Sequence, residues 1–136
     1  MSPSRETAMA LLDRARGDRQ AYCSLVADRT MPEWVLGFHA QQAVEKALKS
    51  VLASASIEYL RTHNLSMLIG LLRKHGLPLP PDAEELSVLT PFGAAFRYGE
   101  ASPADEGTAL DREWAARWID RTIRWAELQV SGGEAP

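Results

Sequence analysis

The sequence predicts an all-α protein, a small helical bundle, and three observations lead there. Apolar residues recur three and four positions apart through most of the chain, while strict alternation is rare. The patterned stretches are separated by clusters of Gly, Pro, Ser, Asn and Asp, the residues that cap and stop helices. The chain has 136 residues, 46% hydrophobic and 24% charged, which suits one core rather than two and neither a disordered nor a fibrous class.

The first helix is expected over Pro3 to Asp28, with Ser2 or Ser4 as candidate N-cap and Leu11, Leu12, Ala15, Tyr22, Leu25 and Val26 toward the core. Gly17-Asp18 is its weak point. A second helix follows Met31-Pro32, because proline is welcome in a first turn, and runs to about Ser56. Asn64 can cap a third, Leu65 to His75, which Gly76 and the prolines 78, 80 and 81 bring to a stop. Asp82 with Glu85 three positions on has the form of a capping box for a fourth helix, Ala83 to about Tyr98, bent near Pro91. Thr108 with Asp111 repeats that device for a fifth, which reaches about Val130 and places Leu110, Trp114, Trp118, Ile119, Ile123, Trp125 and Ala126 on its apolar side. Three of the four tryptophans lie there, and some of them must stay partly exposed on a lone bundle. That helix or its neighbour is therefore expected to face a second copy of the chain. Gly99 to Gly107 reads as a linker and residues 131–136 as a disordered tail, leaving 1–130 as the single domain.

Composition removes several classes of function. Fifteen Lys and Arg against eighteen Asp and Glu give a net charge of −3, which argues against broad adhesion to duplex DNA or anionic membrane. No window approaches the run of about 18 apolar residues that a membrane span needs, so the expected compartment is the cytoplasm. Cys23 is alone and reads as a small core residue beside Tyr22, Leu25 and Val26. The three histidines share no zinc-type spacing with it, so no metal site is expected. Phosphate loops rich in glycine and serine nucleophile elbows are absent too, and no cofactor is implied.

The second helix carries most of what the sequence says about function. Turned at about 100° per residue, it puts Ala40, Ala43, Val44, Ala47, Leu48 and Val51 on one arc, a small-residue face for close packing. His39, Gln42, Lys46 and Lys49 gather on the opposite side within roughly 80° of arc, where donor-rich side chains can meet phosphate. Taken alone, such an arc is the ordinary solvated face of a helix. Gln41 falls at the edge of the apolar arc, so its amide is expected to need a buried partner.

Residue order adds to this. Phe38-His39-Ala40-Gln41-Gln42-Ala43-Val44-Glu45-Lys46-Ala47-Leu48-Lys49 resembles the signature helix of the HEPN family, named for nucleotide binding in higher eukaryotes and prokaryotes. Arg61-Thr62-His63-Asn64-Leu65 resembles the family's loop into its third helix, with Asn64 in place of a frequent aspartate. Leu89-Thr90 leads to Phe96-Arg97-Tyr98, similar to the family's aromatic-bearing helix, with Gly99 where a proline is usual. The likeness spans about Ala8 to Leu128. It implies an up-and-down bundle of four main helices plus a shorter fifth, usually paired as a homodimer. It also implies a nucleotide or RNA ligand, or a nucleotidyltransferase partner in a toxin–antitoxin-like pair.

The family's ribonucleases resemble one another in an arginine followed four to six residues later by a histidine, the first steadying phosphate and the second handling a proton. That spacing is missing: His39 follows Arg29 by ten, His63 and His75 follow Arg61 and Arg73 by two, and no histidine follows Arg97. The sequence therefore leans toward a binding and regulatory module without catalysis, its candidate nucleotide or phosphate contacts being Arg97, Lys46, Lys49, Arg61, His63, His39 and Gln42. One alternative is a metal-independent endoribonuclease toxin in which His39 or His63 replaces the missing residue. The other is a purely structural helical subunit.

Overall fold

The computed structural model describes residues 3–93 and 109–132, and among these every regular element is helical. The elements are α1 (Pro3–Val26), α2 (Glu33–Ser54), α3 (Leu65–Lys74), a single 3₁₀ turn (Leu86–Leu89) and α4 (Arg112–Gly132). No described helix is long and apolar enough to cross a membrane.

Helix α2 is the central element, because its small residues let neighbours approach closely. Ala40, Ala43, Val44, Ala47 and Leu48 are fully buried, as the arc predicts. Helix α1 runs antiparallel to it: the Ser4 and Ser56 hydroxyls lie 3.0 Å apart at one end, and Asp18 meets Lys46 farther along. Helix α4 is antiparallel to α1 as well. Arg5 Nη1 donates to Val130 O (3.0 Å), Arg16 pairs with Glu127 (2.7 Å), and Tyr22 OH donates to Arg112 O (2.7 Å). Up-and-down order follows from short connections between elements that each bury one face.

The helix ends follow local chemistry. Asn64 Oδ1 accepts from Met67 N–H at 3.2 Å, the expected N-cap of α3. Gly76 then takes φ +68, with Leu77 N–H donating to Leu72 O and Gly76 N–H to Arg73 O, a Schellman stop. Helix α2 ends the same way, with Ile57 N–H on Leu52 O and Ser56 N–H on Ala53 O, but here the left-handed position is held by Ser56 at φ 58. Ser131 and Gly132, expected in the tail, instead close α4.

Three expectations need correction. No α-helix starts at Ala83: residues 81–85 are turns, Leu86–Leu89 is a 3₁₀ turn, and helix resumes only at Phe92. Pro91 has no N–H to give and its ring disfavours the carbonyl four residues back, so an α-helix cannot run from Ala83 through it. The Asp82 carboxylate caps nothing and pairs with Arg121 on α4 (3.4 Å). The remainder of that expected helix, the linker and Arg97 lie outside the described residues. Second, α4 starts later than predicted. Its cap is Asp111, whose Oδ1 accepts from Trp114 N–H at 3.0 Å. Third, Cys23 is exposed. Tyr22 takes the buried position on α1, and one step of about 100° turns the next residue away.

The packing against α2 is tight at one glycine. A Cβ at Gly37 would come within 2.1 Å of the Phe92 ring, so only glycine lets the Pro91-Phe92-Gly93 segment lie on α2 there.

Candidate functional site

The polar arc of α2 is not a solvated face. His39, Gln42, Lys46 and Lys49 are all partly buried, and each is tied to a neighbour. Two carboxylates organise them.

The first is Asp18, at the weak point of α1. Its Oδ2 accepts from Lys46 Nζ at 2.7 Å and its Oδ1 lies 3.1 Å from His39 Nδ1. The His39 ring meets Phe38 edge-on at 5.5 Å. Asp18 is reached only because α1 and α2 are antiparallel, and with a side chain 13% exposed it sits between the helices rather than on them.

The second is Glu45, whose side chain is 5% exposed. Gln41 Nε2 donates to its Oε1 (2.8 Å), His63 Nδ1 lies 2.7 Å from the same oxygen, and Lys49 Nζ donates to Oε2 (3.0 Å). Gln41 also donates to the His63 backbone carbonyl (3.0 Å) and accepts from Gln42 Nε2 (2.7 Å). Its amide is fully buried and fully used, as its place on the arc demands. Gly93 presses on that amide closely enough that a Cβ there would lie 2.8 Å from Gln41 Cδ. Lys49 sits over the Tyr59 ring at 5.5 Å from its centroid. The α2–α3 loop is thus pinned to α2 by one buried carboxylate.

Electrostatics agree with this geometry. Burial pushes the Glu45 carboxyl up, but the bonds from Gln41, His63 and Lys49 outweigh it, and the group is held below the usual carboxylate range. Tyr59 is pushed up, by burial first and then by the Glu45 charge.

Among the residues proposed from sequence, Lys49 and His63 come together on Glu45, and His39 and Lys46 on Asp18. Gln42 joins the Glu45 group through Gln41. Arg61 is exposed on the loop and enters neither group. Sequence reasoning missed Asp18, Glu45 and Tyr59. The spacing of four from Gln41 to Glu45 and again to Lys49 was a readable signal for Glu45. Nothing along the chain connects Asp18 to Lys46 before the helices are packed.

Chemically, the arrangement offers two things. Each lysine ammonium has three donors and gives one to its carboxylate, so it is held in place with donors to spare. A carboxylate on the Nδ1 side of an imidazole fixes the orientation of the ring, as Asp18 does for His39 and Glu45 for His63. No group of three or more metal-ligating side chains occurs among the described residues.

No curated protein and no solved structure matches the chain. The sequence model of one protein family, described as HEPN domain, matches residues 8–130, nearly the whole chain. With the signature helix at the centre of an all-helical fold, the chain belongs to the HEPN domain family.

Proposed function

We propose that this HEPN domain is a binding and regulatory module that holds a nucleotide or a single-stranded RNA segment by its phosphates on the α2 face. The observation that carries the reading is the pair of internal carboxylates that hold Lys46, Lys49, His39 and His63 in fixed positions on one helix and its following loop. Cations ordered before binding lose less side-chain entropy when they meet phosphate. Net charge −3 keeps affinity for polyanions local to that face. The module works as a homodimer, a reading supported by apolar surface on α4, where Leu128 is 72% exposed. A nucleotidyltransferase partner in a toxin–antitoxin-like pair fits the same family. Titration with ATP and with a short single-stranded RNA tests the proposal: saturable binding that Lys46→Ala abolishes supports it, and binding indifferent to Lys46→Ala excludes it.

One observation favours a second reading, a metal-independent endoribonuclease. His63 Nδ1 on Glu45 Oε1 at 2.7 Å is the geometry of an oriented proton-transfer residue, with Arg61 two positions away to approach phosphate. RNA cleavage in the presence of a chelator, lost in His63→Ala, would establish it over simple binding.

A further inference from the structure

Away from the α2 face, the turns at Asp82 to Glu85 and the first three turns of α4 with its cap border a cavity of about 300 Å³ lined by Asp82, Glu85, Asp111, Trp114, Trp118 and Arg121. We propose that this cavity is a binding site for an organic cation, a guanidinium or alkylammonium group held between indole faces and carboxylates. It is independent of the nucleotide or RNA reading.

Charge sets the ligand class. Three carboxylates face the Arg121 guanidinium, and with Arg117 over the Trp114 ring the local surplus is one negative charge (3 − 2), which disfavours phosphates and carboxylates. Asp111 already accepts the Trp114 N–H as helix cap, a contact that leaves its charge uncancelled. The Glu85 side chain is exposed and has no ion-pair partner among the described residues. Asp82 is 8% exposed, its distance to Arg121 is a long 3.4 Å, and its Oδ2 is buried with no hydrogen-bond partner among the described residues. The Asp82 charge is thus only loosely answered by Arg121, and a cation in the cavity adds to its compensation.

The aromatic wall points the same way. Trp114 and Trp118 lie with ring centroids 6.4 Å apart at 33°, and Trp114, 44% exposed against 8% for Trp118, presents most of the indole surface. The Arg117 guanidinium already stands 5.0 Å from the Trp114 centroid, which shows that this indole accepts a guanidinium at cation–π distance. A neutral apolar ligand would use the indoles and leave Asp82 unmet. The cavity is at the small end for ligand sites and suits a single cationic head with a short chain.

Such a head can belong to a free amine or to an arginine side chain on another protein, and two probes separate these. Agmatine represents the first, N-acetyl-arginine amide the second, and N-acetyl-citrulline amide is the uncharged control of the same shape. Calorimetry and tryptophan fluorescence are the readouts. The expected result is saturable binding of at least one cation with a Kd on the order of 1 mM or tighter, and none of the citrulline amide. Glu85→Gln and Trp114→Ala, both at exposed side chains, should each weaken binding about fivefold or more with the fold intact by circular dichroism. A preference for agmatine assigns the site to a free amine, and a preference for the arginine amide assigns it to a partner side chain. Failure of both cations to saturate, equal binding of the citrulline amide, or indifference to both substitutions would overturn the proposal.

Discussion

Replacing Glu45 by alanine removes the carboxylate that three side chains share, of which only Gln41 is fully buried. Gln41 is fully buried and cannot turn outward, so its lost bond is paid at nearly the full desolvation cost of an amide donor, about 1–2 kcal/mol. Lys49, with a side chain 13% exposed, keeps its contact with Tyr59 and can bend toward solvent, which limits its share to about 1 kcal/mol. His63, a third exposed, adds less. The sum is a loss of about 3 kcal/mol, and Glu45→Gln, which keeps an acceptor oxygen but not the charge, should cost about half of that. Urea unfolding followed by circular dichroism measures both, with m unchanged if only stability moves. The sign with pH is fixed by the lowered carboxyl. Because Glu45 is held below its unfolded value of about 4.3, its contribution is present above that pH and fades as pH falls through the folded value. The gap between wild type and Glu45→Gln should therefore be full at pH 7 and shrink below about pH 4. A Glu45→Ala variant within about 0.5 kcal/mol of wild type, or a gap that grows on acidification, would refute the reasoning.

Gly17 and Gly37 should respond oppositely to alanine. Open space around Gly17 predicts a gain of about 0.5–1 kcal/mol from helix propensity, whereas the Phe92 ring at Gly37 predicts a net loss of about 2 kcal/mol, both read by thermal unfolding. Ser56→Gly should stabilise by about 1 kcal/mol, since φ 58 strains any residue with a Cβ, and destabilisation in the same assay would contradict that account. Tyr22 is pushed up to about 12, chiefly by burial, so the folded state favours its neutral form; the stability this adds is intact below pH 10 and lost as pH rises toward 12. Tyr22→Phe, which leaves the Arg112 carbonyl without its donor, should cost about 1 kcal/mol and remove that tyrosine's part of the alkaline transition.

The fold was largely legible because helix signals are local. Asn64 and Gly76 announce both ends of α3, and the small-residue arc of α2 identifies the most buried face in the molecule. Legibility failed where two local signals competed. The Asp82/Glu85 spacing spoke for a helix and Pro91 against it, and the proline prevailed because a missing N–H cannot be compensated within a short helix. Cys23 was misplaced because a neighbouring apolar cluster in sequence is not a shared face on a helix. The α2 residues of the site were visible as donors, but not their state. Whether Lys46 is free or tied depends on Asp18, 28 positions away, and that is a property of helix packing. Gln41 was the exception: its position on the arc already required a buried partner, and Glu45 and the His63 carbonyl supply it.

The salt dependence of RNA binding tests the central claim most directly, because phosphate recognition by α2 makes Lys46 a counted charge. For a short single-stranded RNA, the logarithm of the binding constant should fall linearly with the logarithm of salt concentration, and Lys46→Ala should reduce that slope by about 0.7 while the protein stays folded. An unchanged slope in Lys46→Ala, or no salt-dependent binding in the wild type, would contradict the account.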